Sequence, residues 1–248
     1  MAAYSGLAGW YDVLMEDVDY RSWADYYLAL LARAGVMPRS LCDCACGTGA
    51  MSLQFAARGI RVTGVDVSGE MLEAAQRRAR EEGVQAMFVR QDMCQLRLPR
   101  PVDALVCTCD GVNYLLDDHR LKAFFQSARQ ALRPGGVLAF DISSAFKLEH
   151  TLGDTFFGED GDDVTYVWFN RFDREDRTVK MELSFFVPER DGRYRRFDEI
   201  HVQKAHDPEL LRALLSQNGF TNIEIFGDKT FEAPEENAPR IHFLAVRE

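Results

Sequence analysis

The hydrophobic pattern of the first 143 residues alternates between short apolar runs and longer amphipathic stretches. In the first stretch, Tyr20, Trp23, Tyr27 and Leu30 recur at helical spacing after Asp19. The pattern predicts helices over 19–34, 51–58, 70–82 and from 117 or 118 to about 133, and strands over 40–44, 60–65, 86–89, 102–107 and 137–142. Because strands that alternate with helices form parallel sheets covered on both faces, we expect an α/β fold.

The pattern changes after Ser143, and no helical period is found as far as Ala205. Strands are predicted over 164–172, 178–187 and 193–204, separated by hairpin turns. A cap followed by proline, Asp207-Pro208, begins another helix, and strands over 221–226 and 241–246 follow it. We therefore expect one domain over 1–143 and 206–248, interrupted by an antiparallel β-sheet subdomain over 144–205.

Charge and hydropathy narrow the classes of protein. The 248 residues carry a formal charge of −10, which opposes general binding to nucleic acid. No apolar run reaches the roughly 20 residues that a membrane helix requires, and the N-terminal residues lack the pattern of a signal peptide. These features predict a cytoplasmic protein without a nucleic-acid or membrane partner.

Five of the six cysteines fall in two alternating runs at the first and fourth predicted strands, and Cys94 lies apart from them. Cys42, Cys44 and Cys46 alternate with other residues, as do Cys107 and Cys109. Secreted disulfide frameworks and zinc sites use other spacings, so buried reduced thiols are favoured and no metal site is expected.

The junction after the first strand carries the clearest chemical motif. It reads Asp43-Cys44-Ala45-Cys46-Gly47-Thr48-Gly49, and glycines there let a ligand approach the backbone and the start of the next helix. A dinucleotide oxidoreductase requires a third glycine where this chain has Ser52. The motif D-x-A-x-G-x-G instead resembles the first motif of class I S-adenosylmethionine (SAM)-dependent methyltransferases. A tight turn without a ligand remains the structural alternative.

Three further strand ends carry polar residues that match this family. Asp66 follows the second strand, where an acid suits a ribose diol in both SAM and NAD proteins. Gln91-Asp92-Met93 follows the third strand and resembles the family's adenine-binding segment. Asp110 follows the fourth strand, beside the transferable methyl in this family. The resemblance implies a Rossmann-like class I methyltransferase fold with a mainly parallel seven-stranded sheet. It also implies cofactor contacts from Tyr11, Trp23, Asp43, Ala45, Gly47, Gly49, Asp66, Val67, Met71, Gln91, Asp92, Met93 and Asp110.

A closer resemblance is to the bacterial YqeM-like methyltransferases. It rests on the segments at Tyr11–Met15, Asp19–Trp23, Asp141–Ser144 and Phe197–His201. The resemblance implies that Tyr11 and Trp23 close over the cofactor, while simple packing of the first helix is the alternative.

The expected reaction is methyl transfer from SAM, which becomes S-adenosylhomocysteine (SAH), to a small polar molecule. The alternatives are a SAM- or SAH-binding regulatory protein and an NAD(P)-dependent oxidoreductase. The inserted sheet is predicted to form a lid whose basic residues favour a carboxylate. The candidate substrate contacts are Asn113, Tyr114, Trp168, Arg171 and His201. His201 and Asn113 are also the candidates for catalysis, although transfer to a group that ionises by itself needs no base. A monomer or homodimer is expected.

Overall fold

The computed structural model describes Trp10, Met15 and residues 17–248, and two β-sheets organise this part of the chain. The helices are α1 (Tyr20–Arg33), α2 (Ala50–Ala57), α3 (Gly69–Glu81), α4 (Asp118–Ala131) and α5 (Pro208–Gln217). The strands are β1 (Ser40–Cys44), β2 (Arg61–Asp66), β3 (Met87–Arg90), β4 (Val102–Cys107), β5 (Leu132–Ser143), β6 (Phe156–Asp160), β7 (Thr165–Asp173), β8 (Thr178–Pro188), β9 (Tyr194–Lys204), β10 (Phe220–Phe226) and β11 (Arg240–Arg247).

The first sheet has seven strands in the order β10-β11-β5-β4-β1-β2-β3. Neighbouring strands from β5 to β3 pair in parallel, and only β11 runs antiparallel to its two neighbours. The predicted α/β fold with a mainly parallel seven-stranded sheet is therefore confirmed. The order also reverses direction on either side of β1, and ligands of open α/β sheets bind at such a point.

Two apolar layers cover the faces of this sheet. Along β4, Ala104 and Val106 pack with α1 and α2, whereas Leu105 and Cys107 pack with α4 and α5. All four side chains are fully buried, which explains why the β4 sequence is apolar throughout rather than alternating.

Side-chain caps fix the starts of the helices close to the predicted positions. The Ser68 hydroxyl accepts a hydrogen bond from the backbone N–H of Met71, and Asp117 and Asp207 cap α4 and α5 in the same way. Local polar residues thus determine where each helix begins, and the observed helix boundaries lie within two residues of the predicted ones.

The second sheet consists of β6–β9 in sequential antiparallel order. Its inner face buries Val179, Met181 and Phe185 of β8, the alternation seen in the sequence. Strand β6 was not predicted from the sequence. Four of its five residues are exposed, and an exposed edge strand lacks the alternation of apolar and polar residues that marks a strand with one buried face. A π-helical turn over Lys147–Leu152 was not predicted either.

The second sheet joins the first through the end of β9. Gln203 Nε2 donates to Asp110 Oδ2 at 2.6 Å, and Asn113 Nδ2 donates to the carbonyl of Lys204 at 2.9 Å. The inserted sheet is therefore anchored directly to the segment that follows β4. None of the helices in the described ranges is long and apolar enough to span a membrane.

Candidate functional site

A cavity of about 430 Å³ opens at the carboxyl ends of β1, β2, β3 and β4. Loops that follow these four strands supply most of its wall, while Tyr20 of α1 and Arg120 of α4 complete it. The wall includes eight of the thirteen residues that the sequence predicts for the cofactor: Ala45, Gly47, Asp66, Val67, Met71, Gln91, Asp92 and Met93. Asp43, Gly49, Trp23 and Asp110 lie outside this wall, and Tyr11 falls outside the described residues.

The glycine turn after β1 has an unusual backbone. Ala45, Gly47 and Gly49 adopt φ angles of 53°, 53° and 77°, in the left-handed region. A Cβ on Gly49 would lie 2.9 Å from a ring carbon of Phe88, so only glycine fits between the turn and β3. Gly49 therefore shapes the turn from behind rather than lining the cavity.

Asp66 ties this turn to the end of β2. Its Oδ2 accepts the backbone N–H of Gly47 at 2.9 Å, and its Oδ1 accepts that of Ser68 at 2.9 Å. Burial raises the pKa of Asp66 although these hydrogen bonds oppose the shift. One carboxylate thus orders two cavity loops and still reaches the cavity wall.

Asp43 lies fully buried behind the glycine turn. Ser52 donates to its Oδ2 at 2.6 Å, and its Oδ1 has no hydrogen-bond partner. Burial, together with the nearby charge of Asp66, raises the pKa of this carboxyl to about 7. A cation bound beside two adjacent carboxyl groups stabilises their ionised forms and so lowers their raised pKa values.

Asp92 is held by Arg120, which the sequence did not identify. Arg120 Nη1 lies 2.9 Å from Asp92 Oδ2, and Nη2 lies 3.3 Å from Oδ1, which also accepts the N–H of Cys94. Arg120 belongs to α4, 28 positions away in sequence, and no local motif marks it. The ion pair closes the cavity at the end of β3.

The loop after β4 is strained and is held by one buried carboxylate. Cys109 and Asp110 adopt φ angles of 57° and 55°, which non-glycine residues rarely take. Both of their backbone N–H groups donate to Asp141 at 2.9 Å, and the hydroxyl of Tyr27 donates to the same carboxylate at 2.7 Å. Asp141 thus holds the cavity wall in this conformation.

Asp110 is held by protein side chains and is not among the residues of the cavity wall, so its contact with the cofactor stays a prediction. Arg240 lies 2.9 Å from its Oδ1, and Gln203 donates to its Oδ2. Burial alone would raise the pKa of Asp110, but Arg240 and Lys147 lower it below the usual value. Arg240 also contacts Asp141, so one guanidinium pairs with two buried carboxylates.

Asn113 also binds backbone instead of facing the cavity. Its Nδ2 donates to the carbonyls of Ser143 and Lys204, and its Oδ1 accepts the N–H of Ser143. Every hydrogen on its amide is used, and the side chain is fully buried. Asn113 is thus a connector between β5, β9 and the short 3₁₀ turn that follows β4, rather than the catalytic or substrate group predicted for it.

Tyr114 is the predicted substrate residue that lines the cavity. Its hydroxyl lies 3.4 Å from Nδ1 of His201, which is buried on the inner face of β9. Trp168 also lies on the inner face, in register with Leu183, and its buried Nε1 has no hydrogen-bond partner. Arg171 is three residues from Trp168 and therefore points to the opposite, exposed face, which corrects the prediction that both contact substrate.

Trp23 packs within an aromatic cluster. Its ring lies 5.9 Å from that of His242 and 6.3 Å from that of Tyr27, and the guanidinium of Arg240 lies 5.0 Å above it. These contacts match the packing alternative for the first helix, since none of the three described partners lines the cavity, and closure of Trp23 over the cofactor stays a prediction.

The six cysteines are free thiols, four of them buried. Cys42 and Cys44 have sulfurs 3.9 Å apart, and Cys46 and Cys109 line the cavity. Burial raises the pKa of the Cys44, Cys46, Cys107 and Cys109 thiols, so they remain protonated and pack as small apolar groups.

Comparisons with known proteins agree with this geometry. A family model described as a methyltransferase domain matches residues 41–136, which hold β1 to β4. A methyltransferase of Geobacillus sp. (strain WCH70) is 34% identical over 245 residues, 98% of this chain and 99% of that protein. The YqeM methyltransferase of Bacillus subtilis (strain 168) is 33% identical over 98% of this chain and 97% of its own length. The chain belongs to the YqeM group of class I SAM-dependent methyltransferases.

A solved structure extends the agreement to the whole fold. The crystal structure of a SAM-dependent methyltransferase from Clostridium acetobutylicum superposes with a TM-score of 0.88 at 32% identity, covering 98% of both chains. The cofactor of this methyltransferase is therefore SAM. The cavity fits it, because SAM is cationic at sulfur and the buried carboxyls of Asp43 and Asp66 lie behind the turn and at the cavity wall.

The titration of Asp43 predicts how pH changes cofactor affinity. A cationic ligand favours the ionised carboxylate, and Asp43 with a pKa of about 7 carries a proton below that pH. The proton must leave when SAM binds, so affinity should rise about tenfold from pH 6 to pH 8. Calorimetric titration of SAM across this range measures the effect. The Asp43→Asn variant should show a flat profile, and a flat profile in the unaltered protein would contradict the prediction.

Proposed function

We propose that this methyltransferase transfers the methyl group of SAM to a small polar molecule bound beneath the second sheet. The observation that supports this is the stripe of Glu199, His201 and Gln203 on the inner face of β9. All three side chains are polar and at most 5% exposed, and His201 meets the cavity through Tyr114. A covered polar surface next to the cavity suits a small acceptor better than an extended polymer.

The charge on this inner face alters the expected chemistry of the acceptor. The basic residues that suggested a carboxylate do not line this stripe: Arg193 pairs with Asp191 and Arg196 with Asp198, at exposed positions. Glu199 instead places a buried carboxylate beside His201. A neutral or cationic polar acceptor therefore suits the site better than an anionic one.

The names of more distant relatives include acceptors of two kinds. One is a dTDP-amino-sugar N,N-dimethyltransferase of Streptomyces venezuelae, 28% identical over 187 residues. Another is a malonyl-[acyl-carrier protein] O-methyltransferase of Serratia marcescens, 32% identical over 165 residues. Both nitrogen and oxygen acceptors therefore belong in the search for the substrate, and the inner face favours amines among them.

The protein's contribution would be to hold the cofactor and to exclude water. Bound SAM supplies a methyl group on a sulfonium, which needs only an aligned nucleophile. We propose that the backbone from Ala45 to Gly47 contacts the amino-acid part of the cofactor, that Asp66 accepts from the ribose, and that Gln91-Asp92-Met93 borders the adenine. Residues 144–205 would cover the acceptor as a lid, with Tyr114, Trp168 and His201 on its side of the cavity.

Ligand titration followed by a turnover assay tests the proposed function. The purified protein should bind SAM and SAH, should not bind NAD or NADP, and should release SAH when supplied with members of a panel of small amines and alcohols. A matching panel of carboxylic acids should give little release. Binding of SAM without SAH release from any panel would favour a regulatory protein, and binding of NAD in place of SAM would overturn the proposal.

A further inference from the structure

Tyr114 and His201 form a pair that connects the cofactor cavity to the interior of the second sheet. Tyr114 lines the cavity, and its hydroxyl is 3.4 Å from Nδ1 of His201. Their rings meet edge to face, with centroids 6.0 Å apart and an interplanar angle of 80°. This distance is long for a hydrogen bond, and such bonds commonly shorten when an active site is filled.

The surroundings of His201 suit a group that accepts a proton. His201 is only 5% exposed, and Glu199 lies two residues away on the same strand face. Burial lowers the pKa of His201, and the charge of Glu199 partly opposes the shift. The imidazole is therefore neutral at pH 7, and the neighbouring carboxylate stabilises the imidazolium once a proton arrives.

The contacts on either side keep this pair in place. On β9, Gln203 is bonded to Asp110 and so anchors the strand two residues beyond His201. On the other side, Asn113 binds the end of β9 directly before Tyr114 in the chain. The two partners thus sit on segments that are hydrogen-bonded to each other, which fixes the approach of the hydroxyl to the imidazole.

We propose that Tyr114 and His201 form a proton relay that removes the proton of the methyl acceptor. As the acceptor's electron pair forms its new bond to the methyl carbon, the pair of the broken carbon–sulfur bond stays on sulfur. The acceptor's proton passes to Tyr114 Oη while the hydroxyl proton of Tyr114 passes to Nδ1 of His201. The imidazolium later releases that proton to water.

The relay identifies the class of acceptor and rests on the proposed function. It serves a nucleophile that bears a proton, an amine N–H or an alcohol O–H, and has no use with a thioether or a tertiary amine. The negative charge of Glu199 favours the amine. The turnover assay shows whether an amine or an alcohol is methylated. The relay predicts that variants of Tyr114 and His201 lose activity with whichever of the two is the acceptor.

The first experiment measures the tautomer of His201 and needs no acceptor. The protein is labelled with ¹⁵N-histidine and saturated with SAH, and the His201 signals are assigned by their loss in His201→Gln. At pH 7.5 we expect a neutral ring protonated at Nε2, with Nδ1 unprotonated and accepting from Tyr114. In Tyr114→Phe the Nδ1 resonance should shift as that bond is lost. A ring protonated at Nδ1, or a resonance unchanged in Tyr114→Phe, would overturn the relay.

The second experiment measures turnover with any acceptor found in the amine and alcohol panels. Tyr114→Phe and His201→Gln should each lower kcat about 100-fold with a much smaller change in KM. The controls are Tyr166→Phe and His119→Gln. Tyr166 lies on the second sheet, as His201 does, and its hydroxyl donates to Glu159, while His119 is exposed. Both controls should retain full activity.

The pH profile separates a relay from a merely structural role. Activity requires neutral His201, so kcat of the unaltered protein should fall as pH drops below the His201 pKa, which lies under 6.5. Among the described residues, Tyr114 lies within hydrogen-bond distance of it and the charge of Glu199 acts on it. The inflection should disappear in His201→Gln. Full kcat in Tyr114→Phe would overturn the relay. Failure of the unaltered protein on every acceptor would instead count against the proposed function, while the tautomer still decides the relay.

Discussion

Replacing Arg240 with methionine is expected to lower the free energy of unfolding by about 3–5 kcal/mol. The guanidinium is 13% exposed and contacts both Asp110 and Asp141, and its removal leaves two interior carboxylates without the cation that contacts them both. Methionine keeps much of the volume against Trp23, so the loss reports charge more than packing. Chemical denaturation at pH 7.5 measures it.

The matched control for this change is Arg33→Met. Arg33 also pairs with an acid and covers a ring, Glu224 at 2.9 Å and Phe226 at 5.4 Å, but its side chain is 48% exposed. Exposed pairs contribute little, so a loss below about 1 kcal/mol is expected. Equal losses in the two variants would refute the special role of Arg240. Adding Asp110→Asn to Arg240→Met should recover part of the stability.

The pH dependence of Arg240→Met follows from the same contacts. In the unaltered protein the folded-state pKa of Asp110 is lowered, so this group contributes stability above its unfolded pKa that disappears as pH falls. Without Arg240, burial raises that pKa, and the carboxyl can take up a proton. The difference between variant and unaltered protein should therefore be largest near neutral pH and shrink toward pH 4.

Replacing Asp66 with alanine is expected to weaken SAM binding about 100-fold, or about 2.7 kcal/mol. The carboxylate accepts the N–H groups of Gly47 and Ser68, so its loss releases both cavity loops as well as the proposed ribose contact. Isothermal titration with SAM and SAH measures the change. Asp66→Asn should bind with intermediate affinity, because its amide oxygen can still accept one of these bonds.

Asp103→Ala is a suitable control for Asp66→Ala. Asp103 lies near the start of β4, at the end of the strand opposite the cavity. It accepts the N–H groups of Arg39 and Ser40 at 2.9 Å. It makes the same kind of backbone contact without reaching the cavity. Its loss should lower stability but leave the affinity for SAM within about threefold. Affinity within that margin in Asp66→Ala would show that Asp66 does not organise the cofactor site.

The elements of the main sheet were predictable because their signals are local. β1 and β4 were predicted at their observed boundaries, since each is a short apolar run between turn residues. Ser68 and Asp207 mark helix starts through hydrogen bonds to N–H groups no more than three residues away. The glycines at 47 and 49 likewise mark the left-handed turn directly, because glycine adopts a positive φ without strain.

The site was only partly predictable because several side chains pair with residues that are distant in sequence. Asp110 follows β4 as expected, but its carboxylate pairs with Arg240, 130 positions later in the chain. Asp92 likewise pairs with Arg120. The outward direction of Arg171 needed no structure, since its odd spacing from Trp168 already placed the two on opposite faces of a strand.

By itself, the sequence determined the alternation of strands and helices, the glycine turn and the acids at successive strand ends, because these depend on neighbours along the chain. The tertiary structure alone decided which acids face the cavity, which ones pair with Arg240, and that Tyr114 meets His201. Those outcomes depend on burial and on charges brought together from remote segments. A buried charge must find a partner, and only the folded chain determines which partner is within reach.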